Sequence, residues 1–322
     1  MDERSNRGTS NGADPNRRRV LQCMSWAGAG VLWTVSGGIP RTVGLIGEAS
    51  AAEAGALNFV QISDSHIGFK LSANPDPTAT LGEAIAKIKA MPVQPAFLVH
   101  TGDISHLSRD EQWDTADEVI KGANKQVYYI PGEHDVADVD NGKAYLARYG
   151  KGTQGRGWYS FDAGGVHFLA LINVFEFKPG FKSAGLAVLG NEQLEWLGKD
   201  LAHRSASTPI VVLAHLPLWT IYEDWGWGTS DAGRALGYLK RFGSVTVLNG
   251  HIHQIIQKVE GKMTFHTAAS TAFPQPAPGS APQPGPMTVP ADELRKHLGL
   301  RHVAFAAGKP GAPALTETPL AA

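Results

Sequence analysis

Between residues 57 and 253 the chain repeats one device: a short apolar run that stops abruptly at ionisable residues. "LNFVQIS" runs into Asp64 and His66. "PAFLVH" leads to Asp103 through Thr-Gly. "QVYYI" leads through Pro-Gly to Glu133, His134 and Asp135. Later, "PIVVLA" ends at His215, and "SVTVLNG" ends at His251 and His253. Apolar runs of this length, bounded by turn residues, read as buried strands. Between the first three lie stretches of helical period. "TATLGEAIAKIKAM" places Leu81, Ile85 and Ile88 on one side, with Thr78 or Thr80 as the expected cap, and "SRDEQWDTADEVIKG" follows. Strand, helix, strand, helix, strand predicts a parallel sheet with helices over its faces. In such sheets ligands gather at the carboxyl ends of strands, which is where every one of these ionisable residues falls.

The second half adds a hairpin, "GWYSFDAGGVHFLALIN", turning near Gly164-Gly165. "LGNEQLEWLGKDLA" is an amphipathic helix with Leu194, Leu197 and Leu201 together. "QIIQKVEG" and "KMTFHTAAS" read as a closing hairpin. Proline then recurs at 274, 276, 278, 282, 284, 286 and 290, so this stretch is expected to be extended and poorly helical. "RHVAFAAG" after it is a candidate extra strand. The expected organisation is a leader at 1–55, a catalytic domain at 56–272, and a Pro-rich segment with a C-terminal extension at 273–322.

The leader is a separate object. Arg17, Arg18 and Arg19 precede a weakly apolar stretch, "CMSWAGAGVLWTVSGGIP", and small residues follow in "EASAAEAGA". A charged start, an apolar middle and a small-residue end describe a secretory signal peptide. The paired arginines resemble the twin-arginine export signal, which implies that export machinery as a partner and a periplasmic or secreted mature protein. Cleavage is expected near residues 49–56. The apolar run is broken by Gly, Ser and Thr and is short for a span, so no stable membrane insertion is expected. The single cysteine, Cys23, lies in this leader. The mature chain then has no disulfide, and its stability must come from its core, for which 43% hydrophobic residues suffice. A net charge of −1 gives no electrostatic reason to expect a nucleic-acid backbone or duplex as partner.

Taken alone, each motif has an ordinary reading: "DSH" and "GD" as turns, His215 as a satisfied core histidine. "GHIH" puts both histidines on one face of an extended segment. The joint pattern is what carries weight. Imidazoles and carboxylates converging at one sheet edge suit borderline divalent ions such as Mn, Fe and Zn. Two such ions bridged by one carboxylate clamp the attacking and leaving oxygens of a phosphoryl displacement and make a bound water acidic.

In this order, "DSH", "GD", "GEHD", "AHLP" and "NGHIH" resemble the calcineurin-like metallophosphoesterase superfamily, whose pattern is D-x-H, G-D, G-N-H-[DE], a histidine often followed by x-Pro, and G-H-x-H. The resemblance spans roughly residues 57–270. It implies an α/β fold, a four-layer αββα sandwich with two mixed β-sheets, and metal-dependent hydrolysis of a small-molecule phosphomonoester or phosphodiester. It also implies roles. Asp64, His66 and His253 would hold one metal, Asp103 would bridge, and His215 and His251 would hold the second. His134 would face the scissile phosphate, and Asp135 would orient His134. The acidic-histidine motif also resembles the branch containing cyclic-nucleotide phosphodiesterase-like proteins, which tilts the expectation towards diesters.

Glu133 departs from the family's asparagine. Two carboxylates and two divalent ions leave a core of +2; a third carboxylate makes it +1, unless Fe(III) takes the second site. Three readings follow: Glu133 ligates directly, it swings away, or the chain is a non-catalytic or weakly active metal-binding protein. After His215, Trp219, Tyr222, Trp225 and Trp227 cluster in a loop that either packs on the sandwich or lines an apolar pocket. Asp76 and His106 are candidates for contacts behind the ligands.

Overall fold

The computed structural model describes residues 57–177, 185–307 and 311–321, together with two short paired strands upstream, Thr34–Ser36 and Ile39–Arg41. The twin arginines, Cys23 and the expected cleavage region lie outside the described residues. Among the described residues no helix is long and apolar enough to cross a membrane.

The first sheet is built on β1 (Asn58–Ile62), β2 (Leu98–Thr101) and β3 (Val127–Ile130), paired in parallel in that order. Helices α1 (Pro77–Ala90) and α2 (Asp110–Lys121) make the crossovers. α1 starts earlier than its threonines suggest. Asp76 is the cap, accepting a hydrogen bond from the Ala79 amide at 3.0 Å, and Pro77 follows at the first helical position, where its missing N–H costs nothing. Asp76 is thereby a capping residue and makes no contact with the ligand histidines. β1 and β2 are buried on both faces, and their period of two sorts their side chains. Phe59 and Val99 point to the inner core, whereas Val60, Ile62 and Leu98 pack on Leu81, Ile85, Ile88, Trp113 and Ile120 of the helices.

The second sheet begins with the expected hairpin, β4 (Tyr159–Ala163) and β5 (Val166–Leu171), then continues in parallel through β6 (Ile210–Ala214) and β7 (Val245–Asn249). β8 (Gln257–Glu260) and β9 (Met263–Thr267) close it, with β9 parallel to β7. Phe168, Ala170, Val211 and Leu213 face the first sheet. Leu169, Leu171 and Val212 face α3 (Asn191–Leu201) and α4 (Ala232–Leu239), with Leu194, Leu197 and Leu201 on the buried stripe. Helices, sheet, sheet, helices is the four-layer αββα sandwich.

The segment after residue 272 is not an appendage. β10 (Gly299–Ala304) pairs antiparallel with β1, and β11 (Ala314–Pro319) pairs with β10, so the last residues supply two strands of the first sheet. Arg301 is fully buried and ties three strands together: it donates to Gln61 Oε1 at 2.9 Å, to the Thr267 carbonyl at 2.7 Å, and to Glu317. A domain boundary at 272 would strand that guanidinium in the core.

Two buried histidines outside the expected ligand set, His100 and His266, are expected to make the fold acid-sensitive. Burial pulls both His100 and His266 down to about 3, Arg301 adding to the effect at His266. A depressed histidine pKa gives stability that is complete above the unfolded value near 6.5 and drains away as pH falls towards 3. At pH 5 each is expected to cost about 2 kcal/mol of stability relative to pH 7. Urea unfolding at the two pH values measures this; His266→Gln should remove about half of the loss from this pair, and an unchanged pH dependence would count against it.

Candidate metal centre

The chain must reverse at once after each strand for a side chain to turn back over the sheet edge. The backbone shows how it does so. Asp64, His66, Asp103, His251 and His253 all sit at positive φ, between 41° and 66°. That left-handed region is uncommon outside glycine, although Asp and His enter it more readily than most, and clusters of it mark functional sites. The loops lock together through the Asp64 amide to the Gly102 carbonyl (2.9 Å) and the His66 amide to the Asp103 carbonyl (2.9 Å). Glycine is required where they touch: a Cβ on Gly132 would lie 1.9 Å from Asp103 Oδ1.

All seven expected ligands converge. Asp64, His66, Asp103 and His253 form one group, and Asp103, Glu133, His215 and His251 form a second; within each, the ligand atoms lie within 4.8 Å of one another. One atom belongs to both: Asp103 Oδ2 is 3.4 Å from His66 Nε2 and 3.4 Å from His215 Nε2. Glu133 does not swing away. It is buried, with Oε2 3.0 Å from His215 Nε2 and Oε1 2.9 Å from His251 Nδ1. Glu133 opens the short turn Glu133–Asp135 and is held inwards by these two histidines.

The donor set fits metal ions. His215 Nδ1 bonds to the Thr101 carbonyl at 2.6 Å and His253 Nδ1 to the Phe273 carbonyl at 2.6 Å. A carbonyl only accepts, so each ring carries its proton on Nδ1 and turns a bare Nε2 into the site. Asp64 Oδ2, Glu133 Oε2 and His215 Nε2 are buried without a hydrogen-bond partner. Such orphaned acceptors are costly unless a cation meets them. Among the described residues no lysine or arginine pairs with Asp64, Asp103 or Glu133.

Electrostatics tell the same story. Burial opposes ionisation of Asp64, yet His253 and His215 hold it down at about 2. Burial likewise opposes Glu133, and His251 and His215 hold it well below its ordinary range. His215 is buried, but Asp103 and Glu133 raise its pKa well above normal, an expression of how strongly this spot demands positive charge. Burial and the neighbouring His134, His253 and His106 push His66 far down, which keeps its imidazole neutral.

His134 stands beside the ligands, as expected, and its ring is 4.8 Å from that of His66. Asp135 does not orient it. The Asp135 carboxylate points the other way and accepts from the amides of Ile104 (3.0 Å), Ser105 (2.8 Å) and Gly132 (3.0 Å), from Ser105 Oγ (3.0 Å) and from Trp113 Nε1 (3.3 Å). It clamps the Asp103 loop to the Glu133 loop. The task of orienting His134 falls to His106, whose carbonyl faces His134 Nδ1 at 2.8 Å and whose ring stacks on that of His134 at 4.7 Å. His106 also backs a ligand, its Nδ1 lying 3.2 Å from His66 Nδ1. The sequence marks His106 as a candidate for a contact behind the ligands from its place shortly after "GD", but not which ring it serves.

The groups open into a cleft of about 270 Å³, walled by Phe177, Trp225, Trp227 and Phe273 and roofed by Pro284–Pro286. Of the aromatic loop, Trp225 and Trp227 reach this cleft. The Pro-rich segment arrives through Gln275, whose Nε2 donates to the His251 carbonyl (2.8 Å) and whose Oε1 accepts from the Gly285 amide (2.9 Å). No local motif marks these contacts.

The family model for calcineurin-like phosphoesterases matches residues 57–255. The chain belongs to that family. This calcineurin-like phosphoesterase is thus, by family, a hydrolase of phosphoric esters. It is 27% identical to the probable glycerophosphodiester phosphodiesterase GpdQ of Arcobacter nitrofigilis over 222 residues, 66% of this chain and 77% of that protein. It is 30% identical to purple acid phosphatase 15 of Arabidopsis thaliana over 163 residues, 46% of this chain and 28% of the plant protein. Among solved structures, a dimetal phosphatase from Danio rerio shares the fold, with a TM-score of 0.56 and 15% identity over 82% of this chain and 98% of that one.

Proposed function

We propose that this phosphoesterase hydrolyses a small phosphomonoester or phosphodiester with two bound metal ions, after export from the cytoplasm. The observation that carries the two-metal reading is the single Asp103 oxygen shared by both ligand groups. Asp64, His66 and His253 would hold one ion, Glu133, His215 and His251 the other, with Asp103 between them. When bound, such a pair supplies Lewis acidity and a reactive water at neutral pH.

The chain's own contribution is the His134 imidazole, which would act in its protonated form. Burial opposes protonation of His134, but Asp103 and Glu133 raise its pKa above the ordinary value. Its Nδ1 proton is held by the His106 carbonyl, which leaves Nε2–H to act. That proton passes to the leaving oxygen as the P–O bond breaks, and until then its charge steadies the phosphoryl oxygens.

The purified full chain tests this: metal analysis should return about two ions per chain, with turnover of bis-p-nitrophenyl phosphate or p-nitrophenyl phosphate. Two ions without turnover of any ester would instead mark a binding protein. Mn, Fe and Zn suit the mixed ligands, and the third carboxylate favours Fe(III) beside Glu133. Glu133→Asn should then retain turnover within about tenfold to hundredfold and shift the metals that support it. A folded variant inactive with every divalent ion would contradict that. Export rests on the arginine-led leader; replacing Arg18 and Arg19 by Lys should keep the protein in the cytoplasmic fraction, and unchanged fractionation would refute it.

A further inference from the structure

The wall of the cleft carries more information than its ligands do. Starting from His251, rings follow one another edge to face. Phe177 lies 5.3 Å and Trp227 6.4 Å from the His251 ring, Trp225 is 4.9 Å from Trp227, and Tyr222 is 5.2 Å from Trp225. Phe177, Trp225 and Trp227 are only 6%, 5% and 1% exposed, so they present edges of a preformed surface to the cleft. The surface is braced. The Ile221 amide bonds to the Trp227 carbonyl at 2.7 Å and the Trp227 amide to the Tyr222 carbonyl at 3.0 Å. Gly226, at φ +70°, lets Phe177 approach so closely that a Cβ there would sit 2.9 Å from Phe177 Cε2. From the other side the Pro284–Pro286 roof is tied to the His251 backbone through Gln275, and proline's fixed φ keeps it stiff.

Resting on the hydrolase reading above, we infer that this site selects a phosphodiester with a flat apolar group, an aryl or nucleobase ring, next to the phosphate. At about 270 Å³ the cleft sits just below the usual range of about 300–1,000 Å³ for small-molecule sites, which leaves room for a phosphoryl group and one ring-sized substituent rather than a polymer. A ring gains edge and face contacts along Phe177 and Trp225, whereas a polyol such as glycerol would leave hydroxyls facing carbon without partners. Because the rings are already fixed, binding freezes few side chains.

The test compares phenyl p-nitrophenyl phosphate with methyl p-nitrophenyl phosphate on the metal-loaded full chain. Both release p-nitrophenolate, so the ratio of kcat/KM, divided by the same ratio for alkaline hydrolysis, reads only the second substituent. The phenyl ester should be favoured by about tenfold. Trp225→Ala should bring the ratio to within about twofold, and Trp225→Phe should retain most of it. A second readout needs no turnover: phenylphosphonate should quench tryptophan fluorescence at about tenfold lower concentration than methylphosphonate. Turnover with no phenyl preference, or faster hydrolysis of glycerophosphocholine than of the phenyl diester, overturns the inference and leaves the hydrolase reading standing. Phenyl-selective quenching with no turnover of any ester does the reverse.

Discussion

Asp103→Asn is expected to cut ester hydrolysis by about a thousandfold or more and to reduce bound metal from two ions towards one or none. The magnitude follows from what one atom does. Asp103 Oδ2 lies 3.4 Å from a histidine of each ligand group, and Asp103 is the residue common to both. Asparagine keeps the size and the Oδ1-side contact, where the carboxylate accepts from the His134 amide at 3.0 Å. It removes the negative charge that would hold two cations close together. If several kcal/mol of transition-state stabilisation come from the metal pair, losing about 4 kcal/mol is a factor near 10³. Metal content by elemental analysis and kcat/KM for bis-p-nitrophenyl phosphate check it on the same sample. A variant with two ions and unimpaired turnover would remove the shared-oxygen argument altogether.

Asp135→Ala should be the most destabilising single change near the site, by about 4 kcal/mol or more. The carboxylate satisfies the buried amides of Ile104, Ser105 and Gly132 and the Trp113 indole. Each buried donor left without a partner costs about 1–3 kcal/mol, so four set the lower bound near 4. For a domain of this size that is a fall in Tm of roughly 8–16 °C. The same experiment separates this clamp from the role that the motif implies. A residue that merely oriented His134 would lose turnover while Tm stayed put. A clamp loses Tm, and some turnover with it, because the Asp103 and Glu133 loops part. Burial and the nearby Asp103 raise the Asp135 pKa to about 6 against the pull of those amides, so the carboxylate works under electrostatic load.

The ligands were legible because each follows its strand directly. A strand end is a local event, and a period of two or 3.6 reports it without knowledge of the rest of the chain. Asp64, His66, Asp103, Glu133, His215, His251 and His253 could therefore be collected from order and spacing, and they do meet. The roles that failed to transfer depend on direction. "GEHD" places Asp135 next to His134 in the chain, but the short 3₁₀ turn Glu133–Asp135 sends adjacent side chains to different sides. Asp135 goes to the amides and His134 to the cleft.

The chain by itself determined the strand–helix alternation, the buried stripe of the helices, and the residue types gathered at the sheet edges. Tertiary structure alone decided that the tail after residue 272 completes the first sheet, that a proline segment roofs the cleft through Gln275, and that His106 steadies both His66 and His134. The reason is physical. Periodicity in a polymer records which face of an element avoids water, whereas the partner waiting at that face is chosen by packing between distant segments, such as those of Arg301 and Gln61, 240 residues apart.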